Sequence, residues 1–123
     1  MSEKISITGI TASGKHGVLP IEKMEAQEFV VDVTLKTELA TAAKSDSLAD
    51  TVDYSEVAKL VHQVITGSSV NLIEKLAGDI GNLILNKFPK VDSVEITVHK
   101  PKAPIPVAFG DVAVTIKSER WKQ

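Results

Sequence analysis

The feature that most constrains this chain is a strict alternation of apolar and mostly polar positions over residues 29–36. Side chains of a strand repeat every two residues, so this pattern predicts a strand with one apolar face. Such strands are typical of an antiparallel sheet that is covered on one side. Three shorter stretches alternate in the same way, with apolar positions at Ile5 and Ile7, at Val94, Ile96 and Val98, and at Val112, Val114 and Ile116.

Two segments with helical spacing lie between the second and third strands. The first follows Asp53, a candidate N-cap with Glu56 three residues on, and ends at Gly67. The second follows Asn71, which forms a candidate capping box with Glu74. The resulting order is β-β-α-α-β-β. We therefore expect an α+β fold in which two helices cover one face of a four-stranded antiparallel sheet.

Three segments are predicted to lack regular structure. Gly9 and the run SGKHG at residues 13–17 indicate a loop or bend, and residues 41–53 indicate a polar connection. Residues 118–123 indicate a mobile tail.

Composition limits the class of protein. A length of 123 residues suits one domain spanning residues 1–123. The net charge of −2 argues against nucleic acid or an anionic membrane as the main partner, and the lack of cysteine excludes disulfides and thiolate metal sites. The first ten residues contain no apolar signal segment, and no run approaches a membrane span. We expect a cytoplasmic protein.

Lys100 stands where the third strand meets the proline-rich segment VHKPKAPIP, residues 98–106. Strand parity places it on the face of Val98, at the end of the helix-covered side, whereas His99 points the other way. A partly desolvated ammonium in that place suits proton transfer, and the prolines would hold the strand end. Alternatively, Lys100 is an ordinary lysine that extends from an apolar surface into solvent.

Four motifs in order, GKHGVLPIEK, DTVDY, LIEKLA and VHKPKAPIP, resemble those of the dihydroneopterin aldolase family over nearly the whole chain. The resemblance implies the tunnelling fold, in which four sheets join into a barrel and two tetrameric rings stack into a homo-octamer. It implies a lyase of folate biosynthesis that converts 7,8-dihydroneopterin into 6-hydroxymethyl-7,8-dihydropterin and glycolaldehyde, with epimerase activity that gives 7,8-dihydromonapterin. The pterin substrate has its own C=N bond, so neither a metal, another cofactor nor a lysine Schiff base is expected.

The same resemblance implies functions for individual residues. Lys100 would shuttle protons, Glu22 would hold the substrate hydroxyls and orient the amine, and Tyr54 of a neighbouring subunit would relay a proton. Glu74 would accept two hydrogen bonds from the amino-pyrimidinone edge, beside the backbone of Ile73. The residues implied in substrate binding are Glu22, Tyr54, Ile73, Glu74 and Val52.

Each implied residue has a structural alternative. Glu74 could only close the capping box, Glu22 could be an ordinary loop charge, and Tyr54 could pack at the rim of the fold. His16 could contact substrate or stabilise a turn. His62 is expected to face solvent.

Three other functions fit parts of the sequence. A dihydroneopterin-triphosphate epimerase would need basic residues for the phosphates, for which Lys15, Lys23 and Lys102 are candidates. A pterin-binding protein without catalysis would bind ligand and release no glycolaldehyde. A zinc-dependent pterin enzyme would need clustered histidines, and the three histidines here are scattered.

Two positions depart from the family pattern. Many relatives carry an aromatic residue at the position of Lys15 and a glycine at that of Val107. We expect these changes to affect the pocket rim and the loop shape.

Overall fold

The computed structural model of the protein describes residues 3–120 as a four-stranded antiparallel sheet with helices on one face. The strands are β1 (Lys4–Gly14), β2 (Gln27–Thr37), β3 (Val91–His99) and β4 (Ala113–Glu119), in the spatial order β1-β2-β3-β4. The helices are α1 (Pro20–Met24), α2 (Ala40–Ser45), α3 (Tyr54–Thr66) and α4 (Ile73–Lys87), and a 3₁₀ helix spans Leu48–Asp50. The α+β class with four antiparallel strands is confirmed. The predicted order omitted the two short helices and the 3₁₀ helix.

The core lies between the sheet and the two long helices. The apolar face of β2 is almost fully buried, and the register aligns Val31 with Val98 and Val33 with Ile96 across to β3. Helices α3 and α4 bury the apolar stripes that their spacing predicted, including Val57, Val61, Leu76 and Ile80. Alternation in the strands and helical periodicity therefore meet in one apolar layer.

Gly9 does not end the first strand. Strand β1 continues to Gly14, and its register with β2 shifts between Ile7 and Ile10, which marks a bulge. Gly9 adopts a φ of 76°, a value that favours glycine, and its amide donates to Asp32 Oδ1 at 2.8 Å. The predicted bend at this position was wrong because a glycine within a bulge resembles a turn glycine in sequence.

The long helices begin differently from each other. Asp53 caps α3 as predicted, since its Oδ1 accepts a hydrogen bond from the Ser55 amide at 3.0 Å. The N-cap of α4 is Leu72, which provides no side-chain hydrogen bond, so the predicted capping box of Asn71 and Glu74 is absent.

The predicted mobile tail is ordered over its first three residues. Ser118 and Glu119 belong to β4, and Arg120 donates hydrogen bonds to carbonyls near the end of α4, so the predicted tail was wrong for these three residues. Residues 121–123 of that predicted tail lie outside the described part of the chain. Among the helices in residues 3–120, none combines the length and apolar character that a bilayer span requires.

Candidate active site

Lys100 and Glu22 form a close ion pair at the end of β3. Lys100 Nζ lies 2.6 Å from Glu22 Oε2, and the two side chains are only 13% and 5% exposed. The Lys100 amide donates to the Val112 carbonyl at 2.7 Å, which fixes the backbone just beyond the strand. Two buried opposite charges in contact are costly to maintain unless further groups bond to them.

The carboxylate of Glu22 receives those further bonds. Glu22 lies in α1, which begins at Pro20, and its Oε1 accepts a hydrogen bond from the Leu19 amide at 3.2 Å. Its Oε2 also accepts one from Gln27 Nε2 at 3.0 Å. Burial alone would raise the pKa of Glu22, but the bonds from Lys100, Leu19 and Gln27 outweigh it, so the pKa lies below its ordinary value. Glu22 is therefore an oriented carboxylate anion.

Sequence reasoning missed Gln27, although strand parity could have identified it. Gln27 alternates with Phe29 and Val31 and so occupies the apolar face of β2. Its Nε2 orients Glu22, and its buried Oε1 has no hydrogen-bond partner among the described residues. A polar side chain at an inward position of an otherwise apolar strand face is a signal that a buried polar group lies nearby.

His16 braces the loop that carries α1. Its ring is fully buried, Nε2 lies 2.7 Å from the Ile65 carbonyl, and Nδ1 accepts from the Val70 amide at 3.1 Å. Because Nδ1 accepts and Nε2 donates, the ring is neutral. Burial lowers the pKa of His16, which agrees with that state. The turn-stabilising alternative for His16 describes this geometry, and substrate contact does not.

Lys23 ties α1 to the segment before α4. Its Nζ donates to Ser69 Oγ at 2.9 Å and to the Val70 carbonyl at 3.2 Å. The Gly17 amide also donates to the Val70 carbonyl, at 3.0 Å. The loop with Glu22 and the segment that leads into α4 are thus one connected unit.

Glu74 and Ile73 open α4 at the same end of the sheet as Lys100. Only three residues separate α4 from β3, so the two run antiparallel and the start of α4 lies near the end of β3. Ile73 is buried, Glu74 is exposed, and within residues 3–120 no hydrogen bond or ion pair joins the Glu74 carboxylate to another side chain. The first turn of a helix favours a negative charge, which suits an exposed carboxylate at this position.

Tyr54 and Val52 lie away from the Lys100–Glu22 pair. Tyr54 begins α3, and Ile65, which contacts His16 beside the pair, lies eleven residues along the same helix. At about 1.5 Å per residue, the two backbone positions are about 17 Å apart. Tyr54 is 63% exposed and, with the buried Val52, lines a separate depression of about 510 Å³. One chain therefore brings Lys100, Glu22, Ile73 and Glu74 to one end and leaves Tyr54 and Val52 at the other.

The depression beside Glu22 is small. It measures about 150 Å³ and is lined by Ile21, Glu22, Glu25, Ala26, Gln27, Lys102 and Pro104. Pockets that hold small molecules usually measure about 300–1,000 Å³. The depression beside Glu22 is therefore smaller than a usual small-molecule pocket. In the described residues, no group of three or more His, Asp or Glu side chains is arranged to hold a metal ion.

Comparisons with known proteins point to one family. The family model "FolB: Dihydroneopterin aldolase" matches residues 5–117. The dihydroneopterin aldolase of Streptomyces coelicolor is 45% identical over 118 residues, which cover 96% of this chain and 98% of that protein. Among solved structures, E. coli dihydroneopterin aldolase in complex with neopterin has a TM-score of 0.86 at 28% identity, covering 94% of this chain and 98% of that one. The Burkholderia enzyme bound to guanine has a TM-score of 0.78 at 23% identity, covering 96% and 91%, and this match supports the fold alone.

Proposed function

Because the chain belongs to the dihydroneopterin aldolase family, we propose that it cleaves 7,8-dihydroneopterin into 6-hydroxymethyl-7,8-dihydropterin and glycolaldehyde. The observation that carries the proposal is the buried contact of 2.6 Å between Lys100 Nζ and Glu22 Oε2. It provides an acid–base group and a carboxylate that orients it at the end of a rigid strand. We take residues 1–123 as one domain and expect it to act in the cytoplasm.

Lys100 moves the protons in the proposed reaction. Cleavage of the C–C bond requires a base at the side-chain hydroxyl and an acceptor for the released electron pair. The dihydropterin C=N bond accepts the electrons, so Lys100 needs only to pass the proton between the hydroxyl and the ring nitrogen. Glu22 orients Lys100 and accepts hydrogen bonds from the remaining hydroxyls, since an ionised carboxylate can accept several donors.

Glu74 and Ile73 hold the pterin ring. The ring has an amino-pyrimidinone edge with two parallel donors, which match the two oxygens of a carboxylate. The ligand named for the E. coli relative, neopterin, carries this edge. The exposed Glu74 carboxylate at the start of α4 supports this function, with the Ile73 backbone beside it.

Tyr54 and Val52 complete the site from a neighbouring subunit. The position of Tyr54 supports this arrangement, because it lies about 17 Å along α3 from Ile65, the residue that contacts His16. Strands β1 and β4 form the two edges of the sheet, and unpaired edges favour pairing with further copies. We propose a barrel of four sheets and an octamer of two such rings, with sites between subunits. The same Lys100 and Tyr54 would support epimerisation to 7,8-dihydromonapterin.

The decisive assay supplies 7,8-dihydroneopterin or its triphosphate and separates the products by chromatography. We expect glycolaldehyde and 6-hydroxymethyl-7,8-dihydropterin from the free substrate. Preferred epimerisation of the triphosphate would favour the alternative epimerase, although Lys23, one of its candidate phosphate ligands, is already bonded to Ser69 and Val70. Pterin binding without any product would indicate a non-catalytic binding protein.

A matched pair of lysine variants tests the assignment of Lys100. Lys100→Ala should lower kcat by about a hundredfold or more, the usual contribution of a general acid–base group, and pterin binding should persist. Lys117→Ala, which removes an exposed lysine from β4, should leave kcat unchanged. A folded Lys100→Ala protein with turnover within a few-fold of the parent would rule out the assignment.

A further inference from the structure

His99 occupies the face of the sheet opposite Lys100 and is bonded at both ring nitrogens. Its Nε2 lies 2.7 Å from Asp32 Oδ2, and its Nδ1 lies 2.7 Å from Asp111 Oδ2. An ionised carboxylate only accepts hydrogen bonds, and a neutral imidazole has a single N–H to donate. A ring that bonds to both carboxylates at once is therefore an imidazolium.

The two carboxylates connect His99 to the segment that follows Lys100. Asp111 Oδ1 accepts from the Val112 amide at 2.9 Å, and the Val112 carbonyl accepts from the Lys100 amide at 2.7 Å. On the other side, Asp32 Oδ1 accepts from the Gly9 amide in the bulge of β1. The imidazolium thus links β1, β2, the end of β3 and the start of β4 in one row.

Residues 101–112 depend on such anchors. Every residue of this segment is exposed or half-exposed, and of its side chains only that of Val112 packs against the core. Its base is closed by the backbone bond between Lys100 and Val112 and by the side-chain bond between His99 and Asp111. Segments with few buried contacts open locally at low free-energy cost, which makes each anchor consequential.

We propose that His99 is a positioning residue for Lys100: as an imidazolium that donates to both Asp32 and Asp111, it holds segment 101–112 closed behind the catalytic lysine only while it carries its proton. The function of this anchor in turnover rests on the aldolase activity proposed above, whereas the anchor itself does not. Nothing in the reaction chemistry uses the His99 ring, because it lies on the face away from Glu22.

Other charges on this face do not replace the two aspartates. Of the charged groups on the described part of the face, only Asp32 and Asp111 contact the ring. By register, the others are Lys4 on β1, Glu28 and Lys36 on β2, Glu95 on β3, and Lys117 and Glu119 on β4. Hydrogen bonds from Asp32 and then Asp111 raise the pKa of His99, and the bond to His99 lowers the pKa of Asp32.

Loss of the proton breaks one of the two bonds. A neutral ring that still donates to Asp32 presents a lone pair to the Asp111 carboxylate, and two acceptors in contact repel. Opening removes only Asp111, whereas Asp32 stays beside the ring, so the closed segment binds the proton more tightly than the open one. Between the pKa of His99 in the open state and its higher pKa in the closed state, the closing equilibrium should weaken by up to about tenfold per pH unit.

Hydrogen-exchange mass spectrometry of the assembled protein measures this closure without any substrate. Protection factors of peptides covering residues 99–112 would be recorded from about pH 6 to about pH 9, a range that begins near the ordinary histidine pKa. A protection factor is a ratio to the intrinsic exchange rate, so it already corrects for the increase of that rate with pH. In parallel, NMR of labelled histidine gives the pKa of His99, and His62→Asn removes an exposed histidine to assign the signals and serve as a control.

The variant Asp111→Asn gives a sharp discrimination. The side-chain amide introduced by this substitution would donate to a neutral Nδ1 while Nε2–H donates to Asp32, so both bonds survive without the extra proton. The proposal predicts protection that falls with pH in the parent and in His62→Asn, and a clearly flatter profile in Asp111→Asn. A flat parent profile, a His99 pKa at or below the ordinary value, or an unchanged slope in Asp111→Asn would overturn it.

Kinetics connect the anchor to Lys100. His99→Gln should lower kcat by about tenfold or more and change KM little, because misplacement of a reacting group affects the chemical step while Glu74 still holds the ring. If His99→Gln lowers both kcat and protection, the proposal is supported. If it lowers protection and keeps the parental kcat, His99 is not a positioning residue for Lys100. A parent that does not cleave dihydroneopterin but shows the expected exchange refutes the proposed function and leaves the anchor intact.

Discussion

The carboxylate of Glu22 occupies the space that a side chain on Gly17 would require. A Cβ built on Gly17 would collide with the carboxylate carbon and both carboxylate oxygens. Gly17 also has a φ of 154°, which side chains rarely adopt. Because Glu22 in turn contacts Lys100, the absence of a side chain at position 17 helps to define the geometry of the ion pair.

Gly17→Ala should therefore impair catalysis, and the φ of 154° should add a cost in stability. The added methyl group would displace the Glu22 carboxylate from Lys100, and a displacement of about 1 Å can lower kcat by about a hundredfold. Steady-state kinetics would measure the loss. Gly78→Ala is the control, because a Cβ there meets nothing within 4 Å and the position lies inside α4. It should keep parental kcat and gain up to about 1 kcal/mol from helix propensity.

Two inactive variants should complement each other if sites lie between subunits. Lys100→Ala and Tyr54→Phe should each be nearly inactive alone. Co-expressed in equal amounts and assembled at random, they should restore about a quarter of the sites, since an intact site draws Lys100 from one variant and Tyr54 from the other.

Mixed assembly has to be demonstrated for this result to count. Native mass spectrometry of variants with different tags would detect it. Mixed oligomers without activity would show that Lys100 and Tyr54 serve one site from the same chain, against the separation of about 17 Å along α3.

Turnover should need neither a metal nor an imine. The dihydropterin C=N bond accepts the electron pair released by C–C cleavage, so no lysine imine is needed as an electron acceptor, and Lys100 serves in proton transfer. Activity should survive EDTA, and borohydride added with substrate should leave the mass of the protein unchanged. A reduced adduct on Lys100 would contradict the mechanism.

Stability should decrease as the pH falls from about 7 to about 5.5, because of His16. Burial lowers the pKa of the folded His16, so the unfolded chain binds the proton first, and the contribution of the neutral ring is lost as pH falls through 6.5. The slope is at most about 1.4 kcal/mol per pH unit for one proton. The pKa of His99 is raised, so its contribution to the unfolding free energy is fully present below pH 6.5. His99 therefore does not add to this loss of stability.

Denaturant unfolding at fixed protein concentration would measure the slope. His62→Asn should keep it, and His16→Gln should flatten it whatever its absolute stability. An equal slope in His16→Gln and the parent would assign the acid sensitivity to another group.

Arg120 should stabilise the junction between α4 and β3. Its guanidinium donates to the carbonyls of Leu85, Phe88 and Val91 at 2.8–3.0 Å. Arg120→Ala leaves these half-buried acceptors without the charged donor and should cost about 2–3 kcal/mol in unfolding free energy. Arg120→Lys should recover only part of this, because lysine lacks the planar fork. Comparable stability of Arg120→Ala and the exposed-site variant Lys117→Ala would contradict the prediction.

The sequence predicted the parts of the fold that depend on periodicity. Alternation identified the faces of β2 and β3, and helical spacing identified the stripes of α3 and α4. The bulge at Gly9 was missed because its cause, the contact with Asp32, lies 23 residues away in the chain. The capping box at Asn71 was wrong because Lys23 and His16 hold the segment before α4 and set where the helix begins.

In the candidate site too, local patterns predicted some residues and missed those that depend on contacts distant in sequence. Parity gave the correct side of the sheet for Lys100, and the resemblance gave Glu22 as its partner. The orienting function of Gln27 and the bracing function of His16 arise from contacts between elements that are distant in sequence. No local pattern encodes these contacts.

Both ends of the described chain lie at the strand ends that are farthest from Lys100. The register aligns Lys4 with Lys36, Lys36 with Ser93, and Ser93 with Glu119, so the first and last strand residues are three strand spacings apart, about 14 Å. An extended linker of about five residues would cover that distance. Cyclising the chain in this way would restrict the unfolded ensemble and raise the melting temperature without touching the ion pair.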